Sequence, residues 1–400
     1  MLGAIIGDIV GSRFEFDNFR SKEFKLLSEG SFFTDDTIMS LAIGKALLET
    51  EKYDQSKSEA YYKRLEVNTV QYMQVIGRKY PDCGYGGRFQ LWMFDDNPRP
   101  YNSYGNGAAM RVSPVGWLAS DENDVKFLSQ IVTGVTHNHP EGVKGAEAVA
   151  LAIFLSRKGH LKRDIKTRIE EDYYKLDFTI DRIRDTYEFN ETCQNTVPQA
   201  LQAFFESDSF EDAIRTAVSL GGDSDTLAAI TGSIAEAYYG VPDYLEQEVL
   251  SYLNDDLMGM YREWTEFIAE KSGISKYHVV TKYIPLFEDN ILKDDNYDIY
   301  TLPREYHDFF NDLWSIKKVH MATSNHDILK NLGIQWKDTD LINLDISELN
   351  EYDLIYIMTR LHSTERIHGG TVVYFIKHNY YLAWLKRLKE ISDSKLVSGK

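Results

Sequence analysis

Residues 219–240 read SLGGDSDTLAAITGSIAEAYYG. Two glycines give way to Asp223 and Asp225, and then Leu227, Ile230, Ile234 and Tyr238 recur at helical spacing until Gly240 and Pro242 stop the run. Asp and Ser are favoured helix caps, and acidic side chains are stabilised by the positive end of a helix dipole, so this start has an ordinary structural reading. The segment predicts a helix built largely of small residues.

Working outward, residues 34–50 (TDDTIMSLAIGKALLET) repeat the plan, with Thr34 as cap, Asp35 and Asp36 in the first turn, and Ile38, Leu41, Ala42 and Lys45 at helical spacing. Near the start, glycines at 3, 7 and 11 recur every fourth residue and would give a helix one smooth face that another backbone can approach closely. Further helices are expected near 56–79, 141–158, 160–186, 197–206, 209–220 and 243–272, while period-two strand patterns are scarce. The expected fold is therefore an all-α domain over residues 1–275. An Asp-, Asn- and Tyr-rich stretch, about 280–345, reads as a boundary region, and two helices at 349–362 and 370–391 complete a smaller C-terminal domain, 280–400.

A chain of 400 residues with 43% hydrophobic residues can bury a sizeable core. Only two cysteines occur, Cys83 and Cys193, so neither a disulfide framework nor a thiolate zinc site is expected, and a reducing cytoplasm fits best. The apolar N-terminal run lacks a positive leader, is interrupted by Asp8 and is too short to span a bilayer, so no membrane association is expected. The formal charge of −18 argues against nonspecific nucleic-acid binding, which depends on Lys and Arg neutralising phosphates. It does not exclude a small phosphorylated ligand, because bound cations and backbone amides can hold an anion on an acidic protein.

Three acidic motifs stand out: GDIVGSRFE with Asp8 and Glu15, FTDDT with Asp35 and Asp36, and GGDSDT with Asp223 and Asp225. The last two both end in Asp-Thr at a helix start. Brought together, they would place four carboxylates in one pocket, which is untenable without cations. Oxygen ligands without Cys or His select hard ions such as Mg²⁺ or Mn²⁺, and this number of carboxylates suits two ions better than one. In SYGNGAAMR, residues 103–111, Gly105 and Gly107 flank Asn106, and such a loop can offer successive amides to a diphosphate, although it also reads as a plain glycine turn. THNHPEG holds His137 and His139, which read more naturally as a hydrogen-bonding pair than as metal ligands.

Taken as an ordered set, GDxxGxxxE, TDDT, SYGNGAAMR, TH followed by GA, and GGDxDT resemble the ADP-ribosylglycohydrolase family, including the dinitrogenase-reductase-activating glycohydrolases, over residues 1–272. The resemblance implies a compact all-α fold and a dinuclear Mg²⁺ or Mn²⁺ centre that holds the ribose of ADP-ribose. It makes Thr34, Asp35, Asp36, Asp223, Asp225 and Thr226 the metal ligands, with Glu15 and Asp36 catalytic. Ser103, Tyr104, Gly105, Asn106 and Gly107 match the loop that cradles the diphosphate and distal ribose, and His137 matches a ligand-contacting histidine; His139 and Glu141 remain unassigned. The expected activity is metal-dependent release of ADP-ribose, with arginine on a protein as the leading acceptor and serine-linked or O-acetyl-ADP-ribose as alternatives. From a different class, the alternatives are a noncatalytic ADP-ribose-binding relative, whose mark would be loss of an acidic ligand or of Glu15, all retained here, and an immunity protein or antitoxin that docks its partner through the C-terminal domain. Glu236 departs from the family pattern, three turns past Asp225 and outside the expected site. In the C-terminal part, ERIHGG (residues 365–370) faintly resembles a small helical domain of unknown function, expected here to be a targeting or partner module.

Overall fold

The computed structural model describes residues 1–272, 277–289, 292, 299–320, 341–365 and 370–398. Among them no strand forms, only one isolated bridge between Gly105 and Thr192, so the all-α expectation holds. The contacts within the chain divide it into two units, Met1–Ser272 and Gly273–Lys400.

In the first unit the helices are α1 (Leu2–Gly11), α2 (Asp35–Tyr53), α3 (Glu59–Gly77), α4 (Gly87–Phe94), α5 (Gly107–Met110), α6 (Ser113–Leu118) and α7 (Glu122–Gly134). They continue as α8 (Pro140–Arg157), α9 (Lys162–Asp172), α10 (Ile180–Ile183), α11 (Cys193–Glu206), α12 (Phe210–Val218), α13 (Ser224–Tyr239), α14 (Asp243–Leu250) and α15 (Asp255–Ser272). The axis of the unit is α13. Every residue of it except Glu236 is buried, and it packs against α1, α8, α11 and α12. A helix covered on all sides cannot show a polar face, which explains its run of Ala, Gly, Ser and Thr; Thr231 satisfies its hydroxyl on the Ala200 carbonyl and Ser233 on Ile230.

The glycine spacing in α1 has a direct cause. A Cβ at Gly7 would lie 2.0 Å from the Ala228 carbonyl oxygen, and one at Gly3 would lie 2.1 Å from that of Gly232. The two backbones therefore touch, and only hydrogen fits between them. Gly11 meets the Cα of Asp225 in the same way, so this contact also fixes where α13 begins relative to the end of α1. At the other end, Glu236 accepts hydrogen bonds from the Gly3 amide (2.8 Å) and the Met1 amino group (2.6 Å), closing the N-terminus of α1. Its departure from the family pattern is thus a capping carboxylate far from the acidic motifs.

Two expected helices of this unit are interrupted. The 160–186 segment splits after Asp172, where the Glu170 carboxylate accepts from the Leu176 amide and Lys166 donates to the Leu176 carbonyl. The 243–272 segment breaks at Asn254, whose side chain accepts from the Leu257 amide ahead of Asp255 and Asp256. These are tertiary and capping bonds that helix periodicity does not register.

In the second unit α16 (His278–Thr281), α17 (Ile284–Asp289) and α18 (Arg304–His320) occupy the stretch read as a boundary, which is therefore folded in its described parts. They are followed by α19 (Glu351–Thr364), α20 (Thr371–Lys377) and α21 (Tyr380–Ser398). The last pair replaces the single expected 370–391 helix, broken at Asn379 with φ +63°, a left-handed conformation that Asn tolerates better than most residues. An aromatic core of Phe287, Phe309, Phe310, Tyr381 and Trp384 holds this unit, with a buried Lys282–Asp312 pair at 2.9 Å. Residues 366–369 of ERIHGG lie outside the described residues; Glu365, at one end of the motif, accepts from the amides of Gly370 and Val372 at the start of α20.

Candidate active site

The site begins with Asp8, in the middle of α1. Its buried carboxylate accepts hydrogen bonds from the Thr34 and Thr37 amides (2.9 and 3.0 Å) and from both threonine hydroxyls. Four donors from the first turn of α2 thus converge on one acid, locking α2's N-terminus onto α1. Thr34 also accepts from the Asp36 amide, capping α2 as expected. Its hydroxyl, which donates to Asp8, keeps one lone pair unassigned.

Across from this bracket, α13 starts at the same level. Thr226 donates to Asp36 Oδ2 at 3.2 Å, joining the two Asp-Thr motifs directly. Asp223 accepts from Asn106 Nδ2 at 2.6 Å, and carboxylate oxygens of Glu15, Asp223 and Asp225 lie within 4.8 Å of one another. Asp36 Oδ1 is buried without a hydrogen-bond partner.

These acids share a cleft of about 280 Å³. Of the residues expected in the site, Glu15, Asp35, Asp36, Ser103, Gly105, Asn106, Gly107, His137, Asp223, Asp225 and Thr226 line it. Thr34 lies behind the wall on Asp8, and Tyr104 is not among the lining residues; its ring packs beside His139, 5.1 Å between centroids. His139 caps α8 by accepting from the Glu141 amide, so the HxH pair is structural at its second member.

The glycine loop differs from the expectation in one respect. The Gly105 amide donates to Ser103 Oγ and the Asn106 amide to the Glu191 carbonyl, so these two amides are already engaged within the protein. Arg88 and Arg111 both line the cleft. Arg111 is buried, and burial brings its guanidinium down to about 10, a value at which it still carries its charge at neutral pH. It donates to Thr136 Oγ1 at 2.6 Å and lies 3.2 Å from His137 Nδ1. A guanidinium can only donate, so Nδ1 of His137 is an acceptor and the ring proton sits on Nε2, beneath Gly105 and Gly107. Burial and the neighbouring Arg111 hold this histidine well below its usual pKa, in the neutral form.

Arg88, Phe89, Tyr101, Phe189 and Glu191 also line the cleft and carry no sequence assignment above. The GYGGRF segment, residues 84–89, shares a Tyr-Gly step in a glycine-rich turn with SYGNG, and Arg111 closes the very motif in which residues 103–107 were assigned. Both signals were present. Residues 13–29, which join the first two motifs, are tied down by Arg20, which donates to the carbonyls of Arg184, Tyr187 and Leu220, and by Arg215, which donates to those of Lys22 and Phe24. Beside Glu15, Phe16 is 82% exposed and its ring stacks on Phe189, 5.8 Å between centroids.

Burial first, and then mutual repulsion, drive the carboxyl groups upward: Asp35 to about 8, Glu15 to about 7, and Asp36 and Asp225 well above the ordinary range. Burial raises Asp8 to about 6 in spite of its four hydrogen bonds. The cluster as it stands holds protons that an unfolded chain has released. Unfolding therefore releases protons between about pH 4 and 8, and stability falls as pH rises through that window. EDTA-treated protein is expected to melt at a higher temperature near pH 5.5 than near pH 7.5; a melting temperature that is flat or rising over this range would contradict the clustering.

Comparison with known proteins gives the family. A family model for ADP-ribosylglycohydrolase matches residues 1–280. The chain is 27% identical over 337 residues to ADP-ribosylhydrolase ARH3 of Homo sapiens, spanning 64% of this chain and 90% of that protein. It is 28% identical over 304 residues to ADP-ribosylarginine hydrolase Tri1 of Pseudomonas putida, spanning 69% of this chain and 75% of that one. With the match covering well over half its length, the chain belongs to the ADP-ribosylglycohydrolase family and is a glycosidic-bond hydrolase.

Proposed function

We propose that the chain releases ADP-ribose from ADP-ribosylated arginine on a protein, using two Mg²⁺ or Mn²⁺ ions held by Asp35, Asp36, Asp223, Asp225 and Thr226, with Thr34 at the edge of the set. The observation that carries the reading is the junction of the two Asp-Thr helix starts, Thr226 to Asp36, beside the Glu15–Asp223–Asp225 cluster. An orphaned buried carboxylate oxygen on Asp36 and acids that otherwise bind protons suit hard cations. When bound, such ions supply charge neutralisation and Lewis acidity at the ribose. The arginine acceptor rests on the likeness to the Pseudomonas putida protein, whose name states that linkage.

In this reading the protein's own groups divide the work. Arg88 and Arg111 neutralise the diphosphate, with the His137 Nε2–H donor beside the glycine loop. Cleavage at the ribose builds positive charge on the sugar, which the carboxylates lining the cleft stabilise. Glu15, raised to about 7 by burial and by Asp223, can both hold and surrender a proton near neutrality, and we assign it that exchange with the attacking water or the leaving nitrogen. Glu15→Gln is expected to lower turnover roughly 100-fold while calorimetry still detects ADP-ribose binding; unchanged turnover would make Glu15 structural.

The acceptor is tested with a panel of Arg-, Ser- and O-acetyl-linked ADP-ribose, scored for free ADP-ribose. The arginine conjugate is expected to be cleaved fastest. Preference for another linkage would reassign the acceptor, and binding without any release would favour the noncatalytic reading. Every residue lining the cleft lies within Met1–Ser272, so the second unit is proposed as a partner or targeting module.

A further inference from the structure

A second cleft of about 410 Å³ lies elsewhere in the first unit, lined by residues that include Lys57, Trp117, Asp124, Arg157 and Lys158. Glu51, near the end of α2, and Lys271, near the end of α15, also line it. Asp35, in the catalytic cleft, starts the same helix as Glu51, so sixteen residues at 1.5 Å per residue separate the two clefts by about 24 Å along α2.

Charge in this cleft does not balance. Four cations, Lys57, Arg157, Lys158 and Lys271, face two carboxylates, Glu51 and Asp124. Glu51 is matched, with Lys57 and Lys271 each 3.0 Å away, while Asp124 accepts from Ser120 through Oδ2 and its Oδ1, without a hydrogen bond, lies 3.6 Å from Lys57. That leaves Arg157 and Lys158, at the end of α8, without an acidic partner among the described residues.

Arg157 is only 5% exposed, yet only its Nη2 is hydrogen-bonded, to the Ala119 carbonyl, and Nε is buried without a partner. Trp117 Nε1, on the same wall, is also buried and unpartnered. The negative end of the α8 dipole explains why cations are tolerated there, but it leaves these donors unsatisfied. Burial lowers the Arg157 guanidinium to about 10, with no neighbouring anion opposing the shift. A buried, under-bonded guanidinium in a protein of net charge −18 is a costly feature unless something anionic completes it.

We propose that this cleft binds a small oxyanion, phosphate or carboxylate, between Arg157 and Lys158 and beside the Trp117 indole N–H. Planar guanidinium donors suit either oxyanion. The site is separate from the catalytic cleft and does not depend on the function proposed for it.

The test is calorimetric titration of the full-length protein with inorganic phosphate and, in parallel, acetate, in EDTA. Wild type, Lys158→Glu, Arg157→Lys and the catalytic-cleft variant Arg88→Ala are compared. Lys158 is exposed, so its replacement keeps the test meaningful even where Arg157→Lys impairs folding. Wild type is expected to bind at least one of the two anions with a component that Arg88→Ala leaves in place, and Lys158→Glu to weaken that component by about tenfold or more. The anion that binds identifies the chemistry. Absence of binding by both anions, or binding that Lys158→Glu leaves unchanged, would overturn the proposal.

Discussion

Asp225→Asn is expected to reduce ADP-ribose release roughly 10³-fold while the metal-free protein keeps or gains thermal stability. The two effects have one origin. Asp225 is buried beside Asp223, Asp36 and Glu15, and burial together with those charges drives its carboxyl well above the ordinary range. Removing the charge relieves that repulsion in the empty cluster, but it also removes a donor to the proposed cations. Asp225 accepts from the Thr226 amide through Oδ1, an interaction that an amide oxygen preserves, so the helix start survives. Activity lost together with the fold would mean that the residue is structural. Crystals soaked in Mn²⁺ give a second readout: anomalous peaks among Asp35, Asp36, Asp223 and Asp225 in the wild type, weakened or lost in the variant.

Gly7→Val is expected to cost about 3 kcal/mol of stability or more, enough to lower expression and melting temperature together. A Cβ at position 7 would lie 2.0 Å from the Ala228 carbonyl oxygen and 2.5 Å from the Ala229 amide nitrogen. Both obstacles are backbone atoms of the buried α13, so no side-chain rotation relieves the clash and the two helices must separate. Separation also withdraws Gly11 from Asp225, so the variant that remains folded should lose activity as well. Urea denaturation measures the first effect. A wild-type midpoint would contradict the backbone contact between α1 and α13.

The same glycines show what the sequence makes legible. A spacing of four residues predicts a smooth helical face, and α1 uses it in that way, because steric requirements between backbones leave a local trace in composition. The twin Asp-Thr helix starts are legible for a related reason: capping is local, and two acidic caps invite the question of what neutralises them. Asp8 is different. Its motif marks it as acidic, but its work, holding the first turn of α2 by four hydrogen bonds, depends on residues 26 to 29 positions away that nothing local announces. Arg111 and His137 likewise acquire their roles from each other across a fold. Broken helices fall between these cases. Asn254, ahead of two aspartates, carries a cap signal that could be read; the end of α9 at Asp172 depends on where Glu170 and Lys166 find partners. In the second unit, a composition rich in Asp, Asn and Tyr suggests a linker, yet aromatic residues such as Phe309 and Phe310 bury there and hold helices together.

Whether the hydrolysis depends on metal is decided by one titration. Protein stripped with EDTA is assayed for ADP-ribose release from an ADP-ribosylated arginine substrate while Mg²⁺ is returned. Negligible release without metal is expected, with recovery on titration and a parallel rise in melting temperature near pH 7.5, as cations replace protons among Asp35, Asp36, Asp223 and Asp225. Full activity in EDTA, unaffected by added Mg²⁺, would contradict metal dependence.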